Sequence, residues 1–385
     1  MEALIKYSKL LFYFFLIILS FDCVKRTYKK DLDYKVFHTA SKRVLQKNFD
    51  IYNFKQDGIF SFKYGPIFPI IHAPLALFSE KDAKLIWGIL SAISFLVAYF
   101  LLIDLLSFYL PGLKQRYGPQ FLSILLIAQP LTNNAIQGNI NAILFFLIVY
   151  AAWLAQRGKF FLPGLLASVA FSIKLIPGAI IFYFLVLKNY KSILSFILAT
   201  FIFFLIIPVL FYGLDEIIPL FQNWKSVLSD TNHYPFLKYT NQSPLIIAHR
   251  FFSMHTSKFI HYGFNLFIIT ALISSLRKYK QLETLLVSFI LMLCFGPVIW
   301  IEYFILLLPA YLVINYYMFE KNCSLQLKIL WVAKIILTNL LVKFFVGKDL
   351  SVLFAKYGQH LLGLLLTILT LILISKKQDF KLSRN

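Results

Sequence analysis

Long and almost charge-free hydrophobic segments constrain this chain more than any other feature. Residues 83–103 and 191–213 are two of them, and each is long enough to cross roughly 30 Å of hydrocarbon as a helix. Only helices and closed barrels satisfy backbone polar groups in lipid, and unbroken apolar segments of this length are helical. The chain is 59% hydrophobic and 14% charged, whereas soluble domains carry about 25% charged residues. The sequence therefore predicts an all-α protein that crosses the membrane several times.

About twelve hydrophobic segments follow one another, which predicts a single integral membrane domain over residues 1–385. Residues 22–64 and 213–257 are more hydrophilic and are predicted to be external elaborations of that domain. The first contains an amphipathic stretch over residues 34–49, which predicts a helix lying at the membrane interface. Its apolar side is expected to comprise Val36, Phe37, Ala40, Val44 and Leu45.

Residues 161–187 are predicted to form a re-entrant hairpin that turns near Lys174 and Pro177. The segment is flanked on both sides by short basic connections, containing Lys159 and Lys188, which both suit the cytoplasmic side. An ionisable residue at membrane depth costs at least about 2.5–3.5 kcal/mol and therefore points to function. Lys174 at the turn would suit a phosphate partner.

The charge balance predicts the orientation of the chain. There are 38 Lys and Arg against 17 Asp and Glu, a net charge of +21, and many of the basic residues lie in short connections. Such connections stay in the cytoplasm, so both termini are predicted to be cytoplasmic in a plasma membrane. The predicted external residues 22–64 disagree, with ten basic residues against five acidic ones. A positive face suits an outer-leaflet enzyme that handles phosphates, and membrane lipids explain the charge better than nucleic acid does.

Asp31 and Asp33 open the first external stretch, just before the predicted interfacial helix. A carboxylate at this position can cap the helix by accepting hydrogen bonds from its first backbone N–H groups. It can also act as a general base that takes a proton from a hydroxyl group. The residues alone leave both interpretations open.

Amide and aromatic side chains gather where the apolar segments are interrupted. Six amides lie within residues 129–141, among them Gln137 and Asn139, and they suit either helix–helix contacts or sugar hydroxyls. Tyr64 belongs to a proline-rich segment, and broken backbone at membrane depth usually lines a cavity. Glu302 follows another interruption, and a membrane-interface Trp belt explains its neighbour Trp300 but not this carboxylate.

Asn241 and Gln242 precede His249 and Arg250 at the start of a later hydrophobic segment. Arg is the usual partner of phosphate oxygens, although an Arg at a membrane boundary is also common. Lys334 lies near the end of its apolar segment and is predicted to reach the interface, so it is given no role. No metal-ligand spacing, nucleotide-binding loop or Ser-His-Asp order is present, so no metal or cofactor is expected.

Taken in order, these interruptions resemble the motifs of glycosyltransferase family 87, polyprenol-phosphate-mannose-dependent mannosyltransferases of the GT-C fold. Residues 33–37 are similar to the family's Asp-aromatic-x-x-Tyr/Phe element, and residues 62–66 to its aromatic-x-Tyr-x-Pro element. Residues 137–139 contain the residues of its Gly-Gln-x-Asn element in altered order. Gly164, Lys174 and Pro177 resemble its Gly-to-Lys-x-x-Pro segment, and the remaining similarities lie at Asn241, Gln242, Ser243 and Arg250 and at residues 296–300.

The resemblance implies an all-α GT-C bundle with re-entrant and interfacial helices, and it favours Asp33 as the general base, with Asp31 as the fallback. It implies an inverting hexosyltransferase, mannosyl above all, that takes sugar from a polyprenyl-phosphate donor. The acceptor would be a lipid or glycan hydroxyl on the extracytoplasmic side, as in glycolipid biosynthesis. The family often carries His just after the Trp, whereas this chain has Glu302 and Tyr303.

The predicted site has three parts. Asp33 and Asp31 are the catalytic candidates, and a donor phosphate would be bound by Lys174, Arg250 and His249. Sugar or acceptor would contact Tyr64, Gln137, Asn139, Asn241, Gln242 and Glu302. A lipid-linked sugar flippase is the alternative from another class, because transporters also use broken helices and buried charges. A polymerase or ligase acting on a lipid-linked oligosaccharide would keep the fold and change the leaving group.

Overall fold

The computed structural model describes residues 2–30, 32–53, 61–229, 241–275, 280–294, 296, 298–320, 323–341 and 343–377. Within these residues the chain is helical and contains no β-strand, as expected of a helical membrane protein. The chain divides into two compact units. The N-unit comprises Leu16–Leu102 and Leu131–Asn232, and the C-unit comprises Met1–Phe15, Ile103–Pro130 and His233–Asn385.

The N-unit contains most of the short and interrupted helices. Helix α1 (Glu2–Lys29) begins in the C-unit, and both α4 (Glu80–Ser107) and α5 (Tyr117–Gln137) also belong partly to each unit. The helices wholly in the N-unit are α2 (Leu32–Leu45), α3 (Ile67–Ala76), α6 (Asn141–Gln156), α7 (Phe161–Ile173), α8 (Ile181–Val186), α9 (Tyr190–Phe201), α10 (Ile207–Tyr212) and α11 (Leu214–Ser229).

The C-unit contains the last third of the chain. Its helices are α12 (Pro244–His249), α13 (Met254–Ser275), α14 (Lys280–Cys294), α15 (Leu308–Glu320), α16 (Leu325–Ile335), α17 (Lys343–Lys356) and α18 (Gln359–Lys377). A 3₁₀ segment, Ile301–Leu307, leads directly into α15, and a π-helical turn, Ile336–Leu340, follows α16.

By length and composition, three of the described helical segments can cross a membrane: Glu80–Ser107, Tyr190–Tyr212 and Ile301–Phe319. They become four if Leu325–Leu340 and Phe345–Lys356, bent by 103° relative to each other, form one span. Six shorter apolar helices accompany them. The described helices therefore fit a membrane protein, whereas about twelve segments and the external elaborations 22–64 and 213–257 stay predictions.

The amphipathic helix predicted in the first external stretch is present as α2. It covers residues 32–45, and its buried side includes Val36, Phe37, Ala40 and Val44 as predicted. Leu45 was wrongly assigned to that side, because its side chain is 45% exposed. The buried residues follow the 3.6-residue period of a helix, and Leu45 lies at the end of α2 beside that stripe. This apolar side packs against α3.

The hairpin predicted over residues 161–187 is also present. Helix α7 ends at Ile173, Lys174 is extended with φ −151° and ψ 123°, and a 3₁₀ turn begins at Ile176. The two ends of the hairpin meet, because the Asn189 amide donates to the Lys159 carbonyl at 2.8 Å. Ser192 Oγ donates to the Phe160 carbonyl at 2.6 Å. The turn at Lys174 thus lies at the opposite end of the hairpin from the contact between Lys159 and Asn189.

Close contact between α7 and α9 holds this hairpin together. A Cβ atom on Gly164 would lie 2.1 Å from the Ser192 carbonyl oxygen and 2.6 Å from the Phe196 backbone nitrogen. No side chain fits there, so Gly lets the two helix backbones approach each other. The packing of α7 on α9 in turn determines where Lys174 lies.

Candidate active site

Tyr64 is held beside the end of α7 by its own backbone and by the next residue. The Gly65 backbone N–H donates to the Ile173 carbonyl at 3.0 Å, and a Cβ atom on Gly65 would lie 2.0 Å from the Ser172 carbonyl oxygen. Tyr52 Oη donates to the Tyr64 carbonyl at 2.9 Å. The loop before α3 is therefore fastened to the chain immediately before Lys174.

Asp33 is the second residue of α2 and is partly buried. Its Oδ2 accepts a hydrogen bond of 2.5 Å from Asn139 Nδ2, although 106 residues separate the two in sequence. A capping residue would precede the first helical residue and bond to N–H groups of its own helix. Asp33 lies inside the helix and bonds to another element, which weakens the capping interpretation. Asp31 lies outside the described residues.

Asn139 lies in the connection between α5 and α6. Gly138 before it has φ +64°, a conformation that favours glycine, and a Cβ atom there would lie 2.8 Å from Tyr34 Cβ. Trp87 Nε1 donates to the Gly138 carbonyl at 2.9 Å. Besides Asp33, Asn139 Nδ2 contacts Tyr64 Oη at 3.2 Å. The tight turn at Gly138 thus brings an amide against a carboxylate and a phenol.

Lys174 completes the group from the hairpin turn. Its Nζ donates to Asn141 Oδ1 at 2.9 Å and lies 5.6 Å from the centre of the Tyr64 ring. Asn141 is the first residue of α6, two positions after Asn139. The Asn141 backbone N–H donates to Asn139 Oδ1 at 3.2 Å. One hydrogen-bonded chain therefore runs from Lys174 through both asparagines to Asp33, and it is called the Asp33–Lys174 chain below.

Burial changes the proton affinity of the carboxylate. Desolvation raises the pKa of Asp33 to about 6, while the Asn139 hydrogen bond and the positive charge of Lys174 act in the opposite direction. Asp33 is therefore mostly ionised at pH 7 and is a stronger base than an exposed aspartate. General bases are effective when their pKa lies near the working pH.

Aromatic rings pack behind Asp33 and Tyr64. Phe37 lies 4.9 Å from the Tyr64 ring and 4.9 Å from the Phe68 ring, both edge-on. Further ring contacts join α2, α3 and α4 through Tyr34, Phe62, Phe68, His72 and Trp87. Large rings have few rotatable bonds, so this packing gives the polar residues in front of it a rigid support.

The predicted residues of the C-unit form a different kind of group. Asn241 Oδ1 accepts from the backbone N–H groups of Ser243 and Ile299, at 3.1 and 3.0 Å. Gln242 Nε2 donates to the Ala355 carbonyl at 2.9 Å, and its Oε1 accepts from the His360 N–H at 3.3 Å. These two side chains join the start of α12 to distant backbone, and both are fully buried.

Arg250 follows the same pattern. Its Nη1 donates to the carbonyls of Lys356 at 2.6 Å and Ala355 at 3.2 Å, and its Nη2 donates to the Asn241 carbonyl at 2.8 Å. The guanidinium group therefore binds the carbonyl end of α17, which favours a cation. His249 is partly buried at the end of α12, and Glu302 is 6% exposed in the 3₁₀ segment before α15.

Of the predicted residues, the structure brings together Asp33, Tyr64, Asn139 and Lys174, and it places Gln137, partly buried, at the end of α5 nearby in sequence. Asn141 was missed. Its position two residues after Asn139, at the start of a predicted segment and among six amides, was a signal for it.

Lys334 was wrongly expected to reach the membrane interface. Its side chain has no exposed surface, and its Nζ lies 4.2 Å from the centre of the Tyr311 ring in the C-unit. Helix α16 packs against α18, so the lysine side is covered by protein. Its Nζ has no hydrogen-bond partner within the described part of the chain.

The Asp33–Lys174 chain combines two complementary functions within one unit. A carboxylate with a raised pKa can accept a proton from an attacking hydroxyl group. An ammonium group a short distance away can stabilise an anion, and a partly buried position strengthens that attraction. Across the described residues, no three His, Cys, Asp or Glu side chains are grouped as metal ligands.

Sequence comparison adds one finding to this geometry. The family model of glycosyltransferase family 87 matches residues 62–297, more than half of the chain. The matched region contains Tyr64, Asn139, Asn141 and Lys174, and it begins after Asp33. A search of curated proteins finds no match to the chain.

Proposed function

Because the chain belongs to glycosyltransferase family 87, we propose that it transfers a hexose from a polyprenyl-phosphate carrier, with mannose as the favoured sugar. The acceptor is a hydroxyl group of a lipid or glycan on the extracytoplasmic side of the membrane. The observation that carries this proposal is the Asp33–Lys174 chain, in which a base and a cation are joined by hydrogen bonds. In a displacement reaction, the base can take the proton of the attacking hydroxyl group and the cation can stabilise the leaving phosphate.

Asp33 acts as the general base. Its carboxylate accepts the proton of the acceptor hydroxyl while that oxygen attacks the anomeric carbon, and the bond to the carrier phosphate breaks. Attack from the face opposite the phosphate inverts the anomeric configuration. A well-placed base contributes roughly 10²–10⁴ in rate.

Protonation of the base gives the reaction a defined pH dependence. Burial raises the pKa of Asp33 to about 6, so the carboxyl group is protonated below that pH and cannot accept a proton. Transfer should therefore fall about tenfold per pH unit below 6 and level off above it. A rate independent of pH between 4 and 8 would exclude Asp33 as the base.

Lys174 binds the phosphate of the donor and stabilises it as it leaves. The phosphate is a stable anion on departure, so the reaction needs no partner acid. The Tyr64 hydroxyl and ring contact the sugar from the same side as Asn139. Gln137, Asn241, Gln242 and Glu302 remain candidates for sugar or acceptor binding.

Phosphate binding by Arg250 and His249 remains a prediction from the sequence. The carbonyl contacts of Arg250 support a structural role instead, because they engage donors that a phosphate would need. Glu302 is a carboxyl group where the family often has His, and a carboxylate would repel a phosphate, so this position does not support phosphate binding.

Transfer by purified protein tests the proposal. The protein is reconstituted in liposomes with radiolabelled polyprenyl-phosphate mannose and a lipid extract as acceptor source, and labelled products are separated by chromatography. Transfer supports the enzyme. Movement of the intact donor between leaflets without transfer supports the flippase instead, and transfer from a diphosphate-linked oligosaccharide supports the polymerase or ligase.

The proposed orientation, with both termini in the cytoplasm, is tested by cysteine labelling. Lys35 and Lys159 are both exposed and lie on the two predicted sides, external and cytoplasmic. In a variant without native cysteines, a membrane-impermeant reagent should modify Lys35→Cys in intact cells and Lys159→Cys only after lysis. The opposite result would reverse the proposed orientation and would contradict transfer on the extracytoplasmic side.

A further inference from the structure

We propose that Asn139 and Asn141 are positioning residues: Asn139 orients the general base, and Asn141 orients the phosphate-binding cation. The two asparagines set the distance between proton acceptor and leaving-group site. This inference rests on the proposed function and assigns both amides to protein partners instead of to sugar hydroxyls. It makes residues 139–141 the element that defines how a sugar ring fits between Asp33 and Lys174.

The orientation of the Asn139 amide is fixed by its own carbonyl oxygen. Oδ1 accepts the backbone N–H of Asn141 at 3.2 Å, so Nδ2 must point the other way. Nδ2 then meets Asp33 Oδ2 at 2.5 Å and Tyr64 Oη at 3.2 Å. A rotated amide would place one oxygen against another and lose the backbone bond. Asn139 therefore engages one carboxylate oxygen and leaves Oδ1 of Asp33 for the acceptor hydroxyl.

Asn141 has the matching role for the cation. Its Oδ1 accepts from Lys174 Nζ at 2.9 Å, which directs a long and otherwise adaptable side chain. Its Nδ2 is buried and has no hydrogen-bond partner within the described chain. Buried amide donors are normally bonded, so this N–H group is suited to a phosphate oxygen beside the ammonium group.

The backbone between the two amides is rigid. The turn at Gly138 has no room for a Cβ atom, Trp87 holds the Gly138 carbonyl, and the Asn139 N–H donates to the Asn134 carbonyl at 3.0 Å. Asn141 begins α6. The spacing between base and cation is consequently fixed by backbone geometry, and reacting groups need such fixed placement for fast transfer.

Several charged or titratable groups lie on the elements that carry or adjoin Asp33, and of these the positive charge of Lys174 lowers the pKa of its carboxyl group. Lys174 approaches from the hairpin and Tyr64 from the loop before α3. Lys35 and His38 share helix α2, and Lys29 lies at the end of α1. Of the interactions that raise or lower its pKa, the Asn139 hydrogen bond follows burial in size. Loss of the Asn139 amide should therefore raise the pKa of Asp33 in a measurable way.

Leucine substitutions separate the two roles, because leucine has nearly the same shape as asparagine without its polar atoms. Asn139→Leu should move the acidic limb of the kcat/KM profile upward by about one pH unit and lower kcat, with donor affinity nearly unchanged. Asn141→Leu should weaken donor binding about tenfold or more and leave the acidic limb in place. Asn133→Leu is the matched control, because Asn133 is another amide of the same segment and does not belong to the Asp33–Lys174 chain. It should change neither donor binding nor the acidic limb of the pH profile.

Two further measurements keep the test decisive. Infrared titration of the Asp33 carboxyl, assigned by its loss in Asp33→Asn, reports the pKa without any substrate, and Asn139→Leu should raise it. Asn139→Ser keeps a hydrogen-bond donor, so the pKa of Asp33 in this variant should lie between those of the wild type and Asn139→Leu. It also replaces the leucine variant if that variant fails to fold.

The proposal is overturned if the infrared pKa is the same in wild type, Asn139→Leu and Asn139→Ser, or if both leucine variants alter donor binding and the pH profile alike. A wild-type protein that neither binds nor transfers polyprenyl-phosphate mannose would instead refute the proposed function, and the infrared result would still decide the role of Asn139.

Discussion

The Asp33–Lys174 chain of the N-unit and the Asn241–Arg250 group of the C-unit contain similar residues and use them differently. In the N-unit, a carboxylate, two amides and an ammonium group bond largely to one another. In the C-unit, two amides and a guanidinium group bond to backbone N–H and C=O groups. Polar side chains that hydrogen-bond to one another can form a chemical site. Polar side chains whose hydrogen bonds go to backbone groups instead hold irregular segments together.

Exposure points the same way. Asp33 and Lys174 are both partly exposed, so a ligand can reach them. Asn241 and Gln242 have no exposed surface, and their polar atoms are used by the protein. The sequence could not distinguish these groups, because both are amide-rich, interrupt apolar segments and contain a cation.

The largest expected effect is the loss of transfer in Asp33→Asn. Asn keeps the size of the side chain but cannot accept a proton, so the rate should fall by roughly 10²–10⁴. Thermal stability should be close to wild type, because the side-chain oxygen of Asn can still accept the hydrogen bond from Asn139. Asp22→Asn, at an exposed carboxylate paired with Arg26, is the matched control and should be fully active. An active Asp33→Asn enzyme would direct attention to Asp31 and Glu302.

Removing one cation from each group tests the comparison directly. Lys174→Met should weaken donor binding by about tenfold or more with little change in Tm, because it removes the partner of an anion. Arg250→Met should mainly lower Tm, because the carbonyl of the buried Asn241 loses this donor, and a buried acceptor that loses its hydrogen bond costs about 1–3 kcal/mol. Calorimetric titration with a polyprenyl-phosphate sugar and a thermal melt give both values. If Arg250→Met weakens donor binding at unchanged Tm, Arg250 belongs to the phosphate site.

Gly164→Ala tests how the hairpin holds the site. The added methyl group would meet the Ser192 carbonyl oxygen at 2.1 Å, and such overpacking costs about 1–3 kcal/mol. Both Tm and transfer should decrease, since Lys174 moves with α7. Gly263→Ala, at a helical glycine with open space around it, is the control and should leave Tm unchanged or raised. Equal Tm values for the two variants would mean that α7 and α9 separate easily.

The smallest effect is expected at Lys334 in the C-unit. Lys334→Met replaces a buried ammonium group by an apolar side chain of similar length and removes only the contact with Tyr311. Burial of an unpaired charge costs several kcal/mol, and a cation–π contact offsets about 2 kcal/mol of it. Tm should therefore stay the same or increase. A marked decrease in Tm would indicate that Lys334 has an anionic partner, in which case the C-unit also contains a chemical site.

The parts of the fold and site that depend on local sequence were predictable. Proline, flanking basic residues and segment length located the turn at Lys174, and helical periodicity located α2. The contact between Asp33 and Asn139 depends on the positive φ of Gly138 and on packing over 106 residues, which no local pattern encodes. Lys334 was misjudged for the same reason, because distance from a segment end says nothing about which helix covers a side chain.

The meeting of the two ends of the α7–α8 hairpin has a consequence for how this architecture can be edited. Lys159 and Asn189 are in contact. Residues 160–188 therefore leave and rejoin the rest of the chain at the same place. In topological terms the hairpin is an insertion whose tip is a lysine. Lys174 thus lies on a segment in which a change of length or of tip would enter at one junction, provided that the packing of α7 against α9 is kept, while Asp33 belongs to the surrounding chain.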